Sequence, residues 1–390
     1  VLNPEMAFLI ACANPHFAED HKMMLTGLLS DTLDWDAVIR NAQYHKVIPL
    51  LHRTLTTHFK KDVPAHVLAR IAALFKSNSL HSLVVSASLI NVIKLLQKHA
   101  IEVLPVKGPI LAEKLYGSIA MRTYSDVDIL VHQRDIEKVL TILMENEYTL
   151  HPEGIRRSTF LKFLKHYHHG RLIDNNGVLI ELHWELSGFY VPAPMTLESL
   201  QTFLIKSTFN NCPILDLTDE INYIFFSLHS NKHCFTKLDY VCTIAGQIKN
   251  APHLDWEMIF VLGKKFRMHK RILVANALVN NIFGPAIQIP QKYLPANNSF
   301  PARFADTIVA NEFTDTSKAA KIHPLKMLIK YQALVMDRKS DALLFILRSL
   351  VIPDHDVWHT PNLSDALFPL YFLYKPYRAI TMPFRKFKVR

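Results

Sequence analysis

Glycine is scarce in this chain, 10 residues in 390, and the glycine-rich phosphate loops are missing with it. Neither Gly-x-x-x-x-Gly-Lys-Ser/Thr nor Gly-x-Gly-x-x-Gly occurs, which sets aside P-loop and dinucleotide-binding readings; Gly-x-Ser-x-Gly, the turn that presents a hydrolase serine, is absent too. Cysteine is equally thin. Cys12, Cys212, Cys234 and Cys242 lie scattered with no Cys-x-x-Cys pair, so no disulfide framework is expected and a reducing, cytoplasmic setting fits best. No signal peptide is evident. No apolar run reaches the roughly eighteen residues of a membrane span; Ala342 to Ile352 is broken by Arg348 and stopped by Pro353. No membrane span is therefore expected. Acidic residues are in deficit, 34 against 44 Lys and Arg, giving a formal net charge of +10 that favours polyanionic partners. Part of the excess is local. The end, from Arg378 through Phe384-Arg385-Lys386-Phe387-Lys388-Val389-Arg390, is a basic tail with interleaved aromatics. It reads first as a solvated segment and second as a surface for bases or a membrane.

What the chain does carry is Arg122-Thr-Tyr-Ser125-Asp126-Val127-Asp128, followed by the apolar Ile129-Leu130-Val131. Alternate side chains of a strand point the same way, so Asp126 and Asp128 share one face. Two carboxylates held that close repel and titrate as a pair. A divalent cation between them is the usual remedy, and Mg²⁺ keeps coordination places for substrate phosphates. A third acid is at hand. Gly177 to Glu185 reads as a strand after an Asp174-Asn-Asn-Gly177 turn, a hairpin signal. By alternation Glu181, His183 and Glu185 share one face and Ile180, Leu182 and Trp184 the other. Laid beside the first strand, Glu181 completes a triad able to hold two metals on the attacking and leaving oxygens of an in-line displacement.

These residues resemble the DNA-polymerase-β-type nucleotidyltransferase superfamily and, more narrowly, the uncharacterised bacterial nucleotidyltransferase family proteins. Four elements carry the likeness in the family's order: Lys107-Gly108, Leu115-Tyr116-Gly117, Arg122 to Asp128, and Glu181-Leu182-His183-Trp184. It extends to Asp34-Trp35-Asp36, His45-Lys46-Val47 and Pro49-Leu50-Leu51 before them. After them come Leu228-His229, Lys232-His233 and Leu238-Asp239, then Pro369-Leu370-Tyr371 and Lys375-Pro376. The resemblance implies an α+β fold, a small mixed-sheet palm flanked by N-terminal and C-terminal helical regions. It implies Mg²⁺, with Mn²⁺ as an alternative, and transfer of a nucleoside monophosphate from a nucleoside triphosphate such as ATP to a hydroxyl, with release of pyrophosphate. Asp126, Asp128 and Glu181 are then the catalytic and metal-binding acids. Lys107, Gly108, Arg122 and Ser125 would meet the nucleotide, and His183, Lys232 and His233 would stand behind them. Two positions depart from the pattern. Pro109 replaces the small residue after Gly108 and has no N–H to donate. Glu181 stands where Asp is common and reaches one methylene further.

Several residues have a plainer reading beside the functional one. Lys107 suits a phosphate but equally suits a nearby carboxylate. Arg122 suits a phosphate, yet structural support is the first expectation for it, and Ser125 suits a strand entry. His183 on the face of Glu181 fits a hydrogen-bonded, half-buried histidine or a group acting on the acceptor's proton. His166, His168 and His169 read as a surface run beside Arg171. His229 and His233 have helical spacing with Cys234 adjacent, which suggests zinc, but Ser230 stands where the HExxH motif needs Glu.

Hydrophobic periodicity divides the chain into helices over 1–98, the palm over 99–190, helices over 191–340 and a basic, aromatic tail over 341–390. Within these, Leu83 to Leu96 is an apolar helix, Ile101 to Val106 a buried strand, and Pro109 to Tyr116 a helix stopped by Gly117. Asp135 to Asn146 is an amphipathic helix, Leu197 to about Ala333 is helical again with Thr218 as an N-cap, and Lys326 to Arg390 reads as one or two helices and a Pro-rich, aromatic end. The acceptor is expected to be a small molecule or a peptide in preference to RNA. Two rival readings remain: a palm that binds nucleotide without transferring it, and a toxin-like enzyme that modifies tRNA.

Overall fold

The computed structural model describes residues 2–15, 17, 19–29, 33–188, 191–284, 287–313, 325–353, 357–358 and 363–381. The interleaved basic and aromatic residues 384–390 lie outside the described residues. The architecture is α+β. Five helices come first: α1 (Pro4–Cys12), α2 (Glu19–Leu28), α3 (Trp35–Tyr44), α4 (Ile48–His58) and the long α5 (Ala65–Lys98). The palm follows as β1 (Val103–Pro105), α6 (Gly108–Tyr116), β2 (Asp126–Val131), α7 (Ile136–Glu145), β3 (Thr149–His151), α8 (Arg157–Leu164), β4 (His169–Ile173) and β5 (Leu179–His183).

The five strands form one mixed sheet in the order β1-β2-β5-β4-β3. Only β2 and β5 run parallel, with Asp128 opposite Glu181 and Leu130 opposite His183. The expected turn folds as a hairpin. Asp174 Oδ1 accepts from the N–H groups of Asn176 and Val178, and β4 returns antiparallel to β5. The apolar face, Val127, Ile129, Ile180 and Leu182, is buried with Val85, Leu89 and Val92 of α5 and Val139, Leu140 and Leu143 of α7. The opposite face is thereby left to the acids. Gly108 opens α6 at φ +58°, a left-handed conformation that glycine adopts without steric cost, and Gly117 ends it at φ +73°.

Beyond the palm come α9 (Leu197–Leu200), β6 (Leu204–Phe209) and β7 (Cys212–Leu217), then α10 (Asp219–Lys232), α11 (Leu238–Asn250), α12 (Trp256–Lys265), α13 (His269–Phe283) and α14 (Phe300–Glu312). The chain closes with α15 (Leu325–Leu334), α16 (Lys339–Val351) and α17 (Leu370–Thr381). One apolar core joins α1, α3 and α4 to α10, α11 and α13; a second joins the palm to Trp358, Phe368 and Tyr371.

Four expectations need correction. Residues 197–333 are not all helical: β6 and β7 form a two-stranded hairpin. Its turn, Asn210-Asn211, has φ +46° and +60°, the left-handed pair of a type I′ turn, which Asn tolerates. Leu83 to Leu96 is only the second half of α5. That 34-residue helix is long and apolar enough to cross a membrane by length and composition, although no single run is uninterrupted; here 44% of its most apolar window is buried inside the fold. Thr218 occupies the N-cap position of α10 as expected, although its hydroxyl makes no capping bond. His168 and His169 are buried at the start of β4, while His166 stays exposed against Phe372. Finally, three helices, α15, α16 and α17, stand over 325–381 where one or two are expected, and Trp358 stacks on Phe163 of the palm at 4.8 Å.

Candidate active site

The parallel register of β2 and β5 brings Asp128, Glu181 and His183 together. Each offers one ligand atom, these atoms lie within 4.8 Å of one another, and all three residues are buried. Carboxylates can be buried only when charge and hydrogen bonds compensate the lost water. Lys107 Nζ lies 2.7 Å from Asp128 Oδ1, and His183 Nε2 lies 3.0 Å from the same oxygen. Arg171, directly opposite Glu181 on β4, donates through Nε to Glu181 Oε1 at 2.8 Å. His183 Nε2 is 3.5 Å from Glu181 Oε2, and His169 Nε2 is 3.9 Å from Oε1. Asp126 sits outside this tight group. It lines the same cavity, one step nearer solvent.

The protonation states follow from these neighbours. Burial and repulsion from Asp128 push the Asp126 carboxyl up to about 6. Burial would raise Glu181 as well, but His169, His183 and Arg171 outweigh it and hold that carboxyl well below the usual range. Burial opposes charge on His183, yet its bonds to Asp128 and Glu181 win and raise it. Lys107 likewise loses water but gains Asp128, Asp126 and Glu181, so its pKa rises. Lys232 is lowered to about 8, chiefly by burial, with Lys107 and Arg171 adding repulsion against the pull of Glu181 and Asp128.

The cavity holds about 470 Å³, within the usual range for a ligand site. Its walls come from four parts of the chain. The palm contributes Lys107, Gly108, Ser125, the acids, Tyr167 and Arg171; α10 and its end contribute Phe225, His229, Lys232 and His233; α11 contributes Asp239 and Tyr240; the turn after α3 contributes Lys46. Of the residues expected at the site, Arg122 borders the cavity but gives its guanidinium to Asp239 of α11, with Nη2 2.7 Å from Oδ2 and Nε 3.3 Å from Oδ1. Its plain role is to tie α11 to the strand entry. His233 stacks on Tyr240 at 5.4 Å and 10°, and burial lowers it to about 3. The zinc reading gains no support: among the described residues His229, His233 and Cys234 form no metal-sized group, and Cys234 is engaged by Gln332. Among the described residues only Asp128, Glu181 and His183 form a metal-sized group.

Sequence reasoning did not assign Lys46, Tyr167, His169, Arg171 and Tyr240 to the site. For Arg171 a signal existed. Counting back from the Asp174-Asn-Asn-Gly177 turn places 171 opposite 181. Lys46 carried no such signal, because only the packing of α3 beside α11 brings it to the palm.

Residues 31–284, more than half of the chain, match the family model described as uncharacterised nucleotidyltransferase. The chain belongs to this family. It is therefore a transferase of the nucleotidyl class, and the acid-bearing palm is the part of it that suits that chemistry. No curated protein matches. Among solved structures, the solution structure of the antibiotic-resistance factor ANT(2'')-Ia is similar to this nucleotidyltransferase over 47% of the present chain and 91% of that chain, at 12% identity and a TM-score of 0.31.

Proposed function

We propose that the chain moves a nucleoside monophosphate from a nucleoside triphosphate to an acceptor hydroxyl and releases pyrophosphate, with Asp126, Asp128 and Glu181 holding divalent metal, Mg²⁺ or Mn²⁺. The observation that carries this reading is the register of β2 and β5, which sets Asp128 against Glu181 in the wall of a cavity also lined by Lys46, Lys107 and Lys232. Metal bound to these carboxylates supplies charge neutralisation and polarises the α-phosphate. The protein's own groups supply the rest. The three lysines offer compact charges to the phosphate oxygens. The first turn of α6, beside Lys107, adds the positive end of a helix dipole. Tyr167, Phe225 and Tyr240 give the cavity aromatic walls. The acceptor oxygen bonds to the α-phosphorus as the bond to the bridging oxygen breaks. We assign the acceptor's proton to Asp126 in place of Glu181. Asp126 stands nearer solvent, outside the tight group, where an acceptor can reach it, whereas Glu181 is committed to Arg171 and His183. The acceptor is a small molecule or a peptide in preference to RNA, and the setting is the cytoplasm.

A second reading has an observation of its own. Lys107 already occupies Asp128, and Pro109 leaves the start of α6 one N–H short, as a palm that binds nucleotide without transferring it would. Incubation with each α-labelled nucleoside triphosphate and a cell lysate separates the two. Label passing to an acceptor, and lost with Asp128→Asn, is the expected result. Bound but untransferred nucleotide supports the second reading. Neither binding nor transfer would remove both.

A further inference from the structure

An all-carboxylate centre suits Mg²⁺, but the tight group in this cavity contains an imidazole. His183 Nε2 points between the acids, 3.0 Å from Asp128 Oδ1 and 3.5 Å from Glu181 Oε2. Ligands about 2.1 Å from a six-coordinate cation and adjacent to one another are separated by about 3 Å; the His183–Asp128 spacing already matches this, and the three ligand atoms, within 4.8 Å of one another, have only to draw in round one ion. The backbone enforces it. Glu181 and His183 are alternate residues of β5, Asp128 pairs with Glu181 on β2, and all three side chains are buried. Around them stand Lys107 on Asp128 and Arg171 on Glu181, so two cationic side chains hold the acids, and a cation would take the place of the proton that His183 Nε2 shares with them.

We infer that His183 Nε2 is a direct metal ligand with Asp128 and Glu181, making a mixed nitrogen–oxygen centre that selects a first-row transition cation such as Mn²⁺ over Mg²⁺. Mg²⁺ prefers oxygen donors and gives up its waters reluctantly. Imidazole nitrogen favours the transition series. Asp126, nearer solvent and outside the tight group, is left to a second, more weakly held cation that arrives with the phosphates. The inference rests on this cluster being the metal centre of the proposed reaction, but its test needs neither nucleotide nor turnover.

The metal-stripped full chain is titrated with Mn²⁺ and with Mg²⁺ by calorimetry. The Mn²⁺-loaded protein is then examined by pulsed electron paramagnetic resonance for nitrogen-14 coupling. Mn²⁺ should bind at least about tenfold more tightly than Mg²⁺, and His183→Gln should remove most of that margin. The spectrum should show a directly bound ring nitrogen that His183→Gln abolishes and His169→Gln retains. If His183→Gln does not fold, coupling in the parent that persists in His169→Gln decides for the inference. Absence of coupling in the parent, failure to bind Mn²⁺, loss of coupling only in His169→Gln, or an unchanged Mn²⁺ margin in a folded His183→Gln overturns it. Nitrogen coupling in a protein that transfers no label keeps the ligand set and removes the proposed reaction. Transfer driven by Mg²⁺ without nitrogen coupling does the reverse.

Discussion

Asp126 and Asp128 stand two positions apart on one strand, yet their surroundings differ in sign. Asp128 is held by Lys107 and His183, whereas Asp126 meets mainly desolvation and the charge of its neighbour. An ionised carboxylate whose folded pKa is raised opposes folding. The penalty of Asp126 is therefore absent below its ordinary value of 3.8, grows as pH rises toward about 6, and is full above that. In chelator near pH 8, Asp126→Asn should melt above the parent by the equivalent of at most about 3 kcal/mol, and the gain should vanish near pH 4. Asp128→Asn should melt lower at neutral pH, by about 1.5–3 kcal/mol, because it strips Lys107 and His183 of a charged partner. Both should lose transfer. Thermal melts across pH decide the matter, and the distinction collapses if the two variants shift in the same direction. The alternation of the strand makes both acids legible in the sequence. Their unequal partners are not, since Lys107 and His183 arrive from other elements.

Lys46 shows what an element can hide. At the end of α3, Val47 N–H bonds to Ala42 O and Lys46 N–H to Gln43 O, the paired bonds of a Schellman cap. The left-handed position of that cap, φ +61°, is normally glycine, and here it is a lysine that lines the cavity of the three acids. Lys46→Gly should relieve the strain and stabilise the fold by about 1 kcal/mol, while weakening triphosphate binding. Chemical denaturation and nucleotide titration measure the two effects. A variant that is less stable, or that binds nucleotide as the parent does, contradicts the assignment. Elements with strong local signals were legible: β2 and β5 from alternation, the β4–β5 turn from Asp174-Asn-Asn-Gly177, and α6 from Pro109 and Gly117. The β6–β7 hairpin was not, although Asn210-Asn211 is its turn signal. Its short strands alternate weakly, and Cys212-Pro213 reads as a break. The unbroken length of α5 was hidden by the serines, asparagines and histidines that interrupt its apolar runs.

At the scale of the whole molecule, the two ends of the helical portion fold as one body, and His45 is a visible fastener. It is 1% exposed; its Nδ1 accepts from Leu238 N–H at 3.2 Å, and its carbonyl accepts from Asp239 N–H at 3.2 Å. Burial, with Lys237 nearby, lowers it from 6.5 to about 3, so the folded chain keeps it neutral where the unfolded chain protonates it. Its contribution is therefore intact above about pH 6.5 and is lost progressively as pH falls toward 3, at most about 5 kcal/mol in all. His229 and His233, also lowered, act in the same direction, while His132 and His183, raised, act against them. His45→Gln keeps an acceptor for Leu238 and cannot protonate. It should unfold more gradually than the parent as pH falls from about 6.5 to 4, as read by denaturant midpoints at each pH. A slope equal to the parent's would exclude His45 as the source. Nothing local in the sequence marks this joint, because its partners lie 193 residues apart.

Lys107 and an incoming cation make claims on one carboxylate, that of Asp128. Their affinities are therefore linked, and the linkage is reciprocal. A phosphate that draws the ammonium away tightens the site's hold on the cation, and a cation that displaces the ammonium frees it for phosphate by the same factor. Nucleotide and metal would then load as a cooperative pair, each poorly retained alone.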